Sequence, residues 1–137
     1  MNVLDATRKW LREECPLIDR HDRFNANYLG AEGTEYALRS AGEKHREDIL
    51  GFDIAEYDLT FVAQLPFGAA LAPNLSAADF FANLSAWVRG QERAHNSPAI
   101  SGYTVTQIQA SNAGIVTQAD ANAARYQLQI KLYLEEV

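Results

Sequence analysis

Few side chains in this sequence could do chemistry, and their spacing gives little support to catalysis. Three histidines, His21, His45 and His95, sit among charged or turn-forming neighbours. The stretches HDR at 21–23 and HRED at 45–48 carry the atom types of a metal site. Neither offers the i, i+4 pairing on a helix that a known ligand set would use. They read as surface histidines among acids and bases. The single cysteine, Cys15, precedes Pro16 with no histidine or CxxC partner close in sequence, so a buried and inert thiol is expected. The adjacent carboxylates Glu13 and Glu14, and Glu135 and Glu136, lack the contrast of environments that separates two pKa values for acid–base work. No serine lies in a GxSxG elbow, and Gly30, Gly33 and Gly42 are spaced as turn glycines and not as a phosphate-binding loop. The expectation is no catalytic residue, no metal and no cofactor.

The elements that would position these groups follow from hydrophobic period. Val3, Leu4, Trp10 and Leu11, with Thr7 between, mark an amphipathic helix from Asn2 to Glu14 that Pro16 ends. FNANYLG at 24–30 and EYALRS after a Gly-bearing turn at 31–33 predict a hairpin. EKHREDI is expected as an exposed loop or strand edge. Tyr57, Leu59, Phe61, Ala63 and Leu65 alternate on one face of a long strand, and Val62 on the other face predicts that this second side is partly covered. PFGAALAPN reads as a loop. It leads to a helix capped by Ser76, with Asp79 as its capping-box partner and Leu75 and Phe80 at the staple positions, running to about Gln91. Its stripe of Phe80, Phe81, Leu84, Trp87 and Val88 is a core face. The alternation slips between Val105 and Ile108, which predicts a bulge or a change of buried face. SNAGIVTQADANA reads as a turn-rich tip before the last strand. There Tyr126, Leu128, Ile130, Leu132 and Leu134 should face the helices, with Arg125, Gln127, Gln129, Lys131 and Tyr133 opposite. The fold class is α+β: a single domain over 1–137, a mostly antiparallel sheet of about five strands with two flanking helices, in the order α-β-β-β-α-β-β.

Composition narrows the function classes. A chain of 137 residues can bury a core without a disulfide or a structural metal. Eighteen acidic against 12 basic side chains, a formal charge of −6, argue against tight binding of a phosphate backbone. The opening MNVLDATRKWLREE has no apolar core of a signal peptide, and no stretch approaches a membrane span. A reduced, cytoplasmic protein without a membrane partner is expected.

Three stretches carry a family resemblance: VLDATRKWLREECPLI with FNANYLG and EYAL, SAADFFANLSAWV, and IQASNAGIVTQAD with ARYQLQIKLYL. Together they resemble the minor capsid or tail-completion proteins of phages and prophages of Gram-positive hosts, similar in layout to tail terminators. The resemblance implies a structural, non-enzymatic subunit of a homo-oligomeric ring, with six copies as the family expectation. That ring would join the tail tube protein to the head–tail connector protein in the virion, after assembly in the bacterial host cytoplasm. DNA would pass through it without specific binding. Contacts with neighbours are expected from two polar excursions, 43–51 and 112–122, through Glu43, Lys44, Arg46, Asn112, Ile115, Val116 and Gln118. The polar row Arg125, Gln127, Gln129, Lys131 and Tyr133 is expected to meet a neighbour or the ring interior. The alternative is a small-ligand or protein-binding module without catalysis. A third reading, an enzyme with dispersed residues, would need a deep pocket gathering a histidine with carboxylates.

Overall fold

A computed structural model describes residues 2–18, 23–27, 35–66, 71–119 and 123–137. Helix α1, Val3–Glu14, begins at Asn2, whose side-chain oxygen accepts the Asp5 N–H at 3.0 Å. It ends at Cys15, where ψ swings to 116° before Pro16. The predicted stripe is the buried one: Val3, Thr7, Trp10 and Leu11. Arg8 pairs with Asp5 and donates to the Phe24 carbonyl at 3.1 Å, which fastens α1 to the first strand.

Five strands follow: β1 Arg23–Ala26, β2 Glu35–Glu47, β3 Asp53–Pro66, β4 Tyr103–Ala119 and β5 Ala123–Glu136, in the spatial order β1-β2-β3-β5-β4. Helix α2, Leu71–Arg93, lies between β3 and β4 in the chain, so the element order is the expected one. Every pairing is antiparallel except β1 with β2, which is parallel. This corrects the expected β1–β2 hairpin, whose turn lies outside the described residues. A parallel pair cannot be closed by a tight turn. The parallel register sets Phe24 beside Tyr36 and Phe61, with ring centroids 6.0 and 5.7 Å apart, so β1 is held by aromatic packing.

One face of the sheet carries the core. Leu59, Phe61 and Ala63 of β3 and Leu128, Ile130, Leu132 and Leu134 of β5 are all buried there, against Phe81, Leu84 and Val88 of α2. Each fully buried leucine or phenylalanine side chain contributes about 1.5–3 kcal/mol. Trp10 of α1 meets Trp87 of α2 with centroids 4.9 Å apart, so the two helices share a seam. On the reverse face Ala37 and Val62 form a second small buried cluster, as the position of Val62 predicts.

Three further expectations need correction. α2 starts at Leu71, so Ser76 stands exposed within the helix and does not cap it. Pro73 is accommodated because a first-turn N–H has no intrahelical acceptor to lose. At the other end His95, with φ 57°, closes the helix: its N–H reaches Glu92 O, and the Asn96 N–H reaches Gln91 O. Second, the charge-dense residues 43–47, expected as an exposed loop or strand edge, take the second form: they are the exposed outer half of β2 and not a loop excursion. Third, residues 112–119 belong to β4, while 120–122 lie outside the described residues. The break expected before Ile108 is present as a register shift between Val105 and Gln107.

Candidate functional site

The two sides of the sheet end in edges of different kinds. β1 covers β2 only from Glu35 to Leu38. Asn27, in a left-handed turn with φ 59°, then finishes the pairing: its N–H donates to Leu38 O, and its side-chain oxygen accepts the Ser40 N–H. A bulge between Ser40 and Gly42 follows, and β2 continues in regular register with β3 from Gly42 to Glu47. Along that run no described strand pairs with the outer side of β2. On the far side of the sheet, the outer side of β4 likewise has no strand partner among the described residues.

The hairpin joining β2 to β3 is tightly built. Asp48 accepts the N–H groups of Leu50 and Phe52 at 2.8 and 3.0 Å, and Gly51 takes φ 86°. Such an Asx-organised turn fixes the tip. It holds Ile49, Leu50 and Phe52 out in water, with Ile49 fully exposed at 101%. Nothing in a strand or helix period announced this, but three large apolar residues within a charge-dense stretch were a legible signal.

Behind the tip, alternation places Glu43, His45 and Asp53 on the helix-facing side. The His45 ring lies between two carboxylates: Nε2 is 3.0 Å from Glu43 and Nδ1 is 2.9 Å from Asp53. Carboxylates only accept, so both contacts are satisfied when both ring nitrogens donate, as in the imidazolium. The hydrogen bonds to Glu43 and then Asp53 raise the His45 pKa above 6.5. Tyr103 of β4 donates to Asp53 at 2.7 Å, and this bond, followed by the one from His45, lowers the Asp53 pKa. The Tyr103 hydroxyl is pushed up to about 12 by the same bond. Tyr57 packs edge-on against the imidazole and hydrogen-bonds Glu43; burial and that carboxylate push its hydroxyl up to about 12. The cluster ties the tip of β2 to β3, and β3 to the start of β4. It is half open to solvent. Its hydrogen bonds and ion pairs clamp these strand ends together.

The sequence-predicted contact residues fall into three groups. Glu43, Lys44 and Arg46 are exposed on the outer half of β2, with Lys44 and Arg46 on the face opposite the clamp by register. Arg125, Gln127, Gln129, Lys131 and Tyr133 form the expected half-buried row on that same reverse face of β5. There Lys131 sits 3.6 Å from Asp58, and Gln129 accepts from Thr60 at 3.1 Å. Asn112, Ile115, Val116 and Gln118 lie on the last stretch of β4, where Val116 is exposed. The fold therefore brings Lys44, Arg46 and the β5 row onto one sheet face, leaves Glu43 on the other, and sends the third group to the opposite edge. Of the histidines, His45 is the exposed residue among acids that its sequence neighbours suggest and is also the clamp's centre, while His21 lies outside the described residues.

A cleft of about 340 Å3 opens between the start of α1 and the β2 bulge, lined by Val3, Leu4, Gly42, Glu43, Tyr57 and Leu59 among others. No group of three or more His, Cys, Asp or Glu side chains among the described residues is arranged to hold a metal ion. No described helix is long and apolar enough to cross a membrane. A scan against protein-family models and a search of curated proteins both find no match to the chain.

Proposed function

We propose that the chain is a structural phage or prophage subunit of the tail-terminator type. It assembles as a ring at the head-proximal end of the tail, between the tail tube protein and the head–tail connector protein. The observation that carries this reading is the distal β2–β3 hairpin, whose hydrogen-bonded tip holds three large apolar side chains in water. A fixed apolar projection of this kind is a contact device, since water alone gives no reason to keep it. The sequence resemblance supplies the kind of assembly. The net charge of −6 suits a ring through which DNA slides, because a basic lumen would hold the phosphates.

Native mass spectrometry of the purified protein, across a concentration series and with the tail tube protein added, tests the reading. A ring of one defined stoichiometry is the expected result. A protein that stays monomeric under every condition, and never joins the tube protein, overturns it.

A further inference from the structure

We infer that the outer edge of β2 in one copy pairs, antiparallel, with the outer edge of β4 in the next copy, so that the sheet continues from subunit to subunit; neither edge has an outer strand partner among the described residues along the stretches concerned. The inference rests on the ring reading and adds its mating surface. The first ground is the composition of β4. Its 17 residues, YTVTQIQASNAGIVTQA, contain no charged residue and no proline. Exposed edge strands are ordinarily defended by charge, proline, shortness or bulges, and of these β4 has only bulges. They divide it, and the longest stretch in unbroken register is Gln107 to Ser111.

The second ground is the fit of the available occupants. The outer side of β2, without a strand partner beyond Leu38 among the described residues, has its own unbroken run, Gly42 to Glu47, close to the β4 run in length, so about 17–20 Å of backbone could pair. The charges on β2 exclude pairing of this edge with itself. A two-fold pairing sets residue i opposite residue j on the same face. Centred on His45 it would oppose Glu43 to Glu47 and Lys44 to Arg46, and centred on Lys44 or Arg46 it would oppose each to its own copy. Every such register places like charges face to face. Against β4 no register does so, and Gln107, Gln109 and Ser111 can hydrogen-bond either sign of charge.

The third ground is direction. The run β2-β3-β5-β4 is four strands, all antiparallel to their neighbours, so its two edges run in opposite senses. A copy related by rotation about an axis along the strands therefore presents β2 antiparallel to β4, and the same contact repeats around the assembly. The patches differ, which is the heterologous geometry that closes rings.

The test uses the full chain carrying Lys44→Cys in one preparation and Gln109→Cys in another, mixed and treated with a short bis-maleimide. Circular dichroism confirms folding, and the wild type, whose Cys15 is buried, serves as the uncrosslinked control. A covalent dimer from the mixture, absent from either variant alone, is expected. The double variant should give a ladder of multimers. A second arm uses Gln107→Lys with Gln109→Lys, which guards the β4 edge by charge. It should abolish assembly in native mass spectrometry while the monomer stays folded. Crosslinking of Gln109→Cys with itself would show β4 pairing to β4 and overturn the inference. Rings of full mass that give no crosslink, and that persist with both lysines, would overturn the inference and leave the ring reading standing. A monomer under all conditions would overturn both.

Discussion

Edge strand β2 carries Glu43, Lys44, His45, Arg46 and Glu47 on its open half, whereas edge strand β4 runs 17 residues without a charge. Both belong to one sheet and both lack an outer strand partner among the described residues. The difference lies in what each edge tolerates. Alternating charge on β2 lets it meet an uncharged strand and repels a second β2. The neutral β4 repels nothing, and its selectivity has to come from bulges that leave one short regular run. An asymmetric pair of edges of this sort favours a contact between unlike surfaces over a symmetric dimer.

The largest effect should come from breaking the scaffold that both edges share. Leu128→Ala, in the middle of β5 with no exposure to water, is expected to cost about 2–5 kcal/mol in denaturant unfolding. A loss below about 1 kcal/mol would mean that β5 is not the centre of the core.

Next in size is a change that strikes the β4 side alone. Gly114 sits at a β4 bulge with φ 78°, and a Cβ there would lie 3.4 Å from Phe81 Cβ. Gly114→Val should cost about 1–3 kcal/mol in the same unfolding experiment, from a left-handed backbone forced on a β-branched residue. Amide exchange should quicken in β4 and α2 and stay unchanged at the hairpin tip. A uniform change across both edges would contradict their independence.

On the opposite edge, Asp48→Ala removes the acceptor of two backbone N–H groups. A cost of about 1 kcal/mol is expected, with faster exchange limited to residues 48–53. Unchanged exchange at Leu50 and Phe52 would show that the tip is not held by Asp48.

The smallest effect is a pH dependence of the hairpin. His45 has a raised folded pKa, so its contribution is fully present below its unfolded value of 6.5 and is lost as pH rises through the folded value. Glu43 and Asp53 have lowered folded values, so theirs is present above 4.5 and 3.8 and lost as pH falls through the folded values. Protection of residues 42–57, corrected for intrinsic exchange, should be greatest between 4.5 and 6.5 and weaker at about pH 8.5. His45→Gln should flatten that profile and leave β4 beyond Tyr103 as it was. A profile unaltered by His45→Gln would remove the clamp from the account.

Much of the fold was legible because its signals are local. The α1 stripe, the alternation of β3 and β5, the slip before Ile108 and the lone Val62 on the second face all show as period or its interruption. What was missed depends on pairing between distant segments. The parallel placement of β1 follows from Phe24 joining an aromatic cluster with Tyr36 and Phe61, a contact that the Gly-bearing stretch at 31–33 masked in favour of a hairpin. The early start of α2 was hidden by Pro73, which usually ends a helix but is harmless in a first turn. Charge density leaves 43–47 open between loop and strand edge, although alternation of sign at period two is a strand pattern. The contact residues were located by element better than by role. His45 was discounted because Asp53 is eight residues away in sequence and reaches it only across the hairpin.

Backbone amide exchange of the wild type, compared between dilute monomer and assembled particle, tests the pairing of unlike edges most directly. Outward N–H groups between Gly42 and Glu47 and between Gln107 and Ser111 should become protected together on assembly, while those of β3 and β5, already paired, change little. Protection that appears on assembly elsewhere, and leaves both edges exchanging as in the monomer, would contradict it.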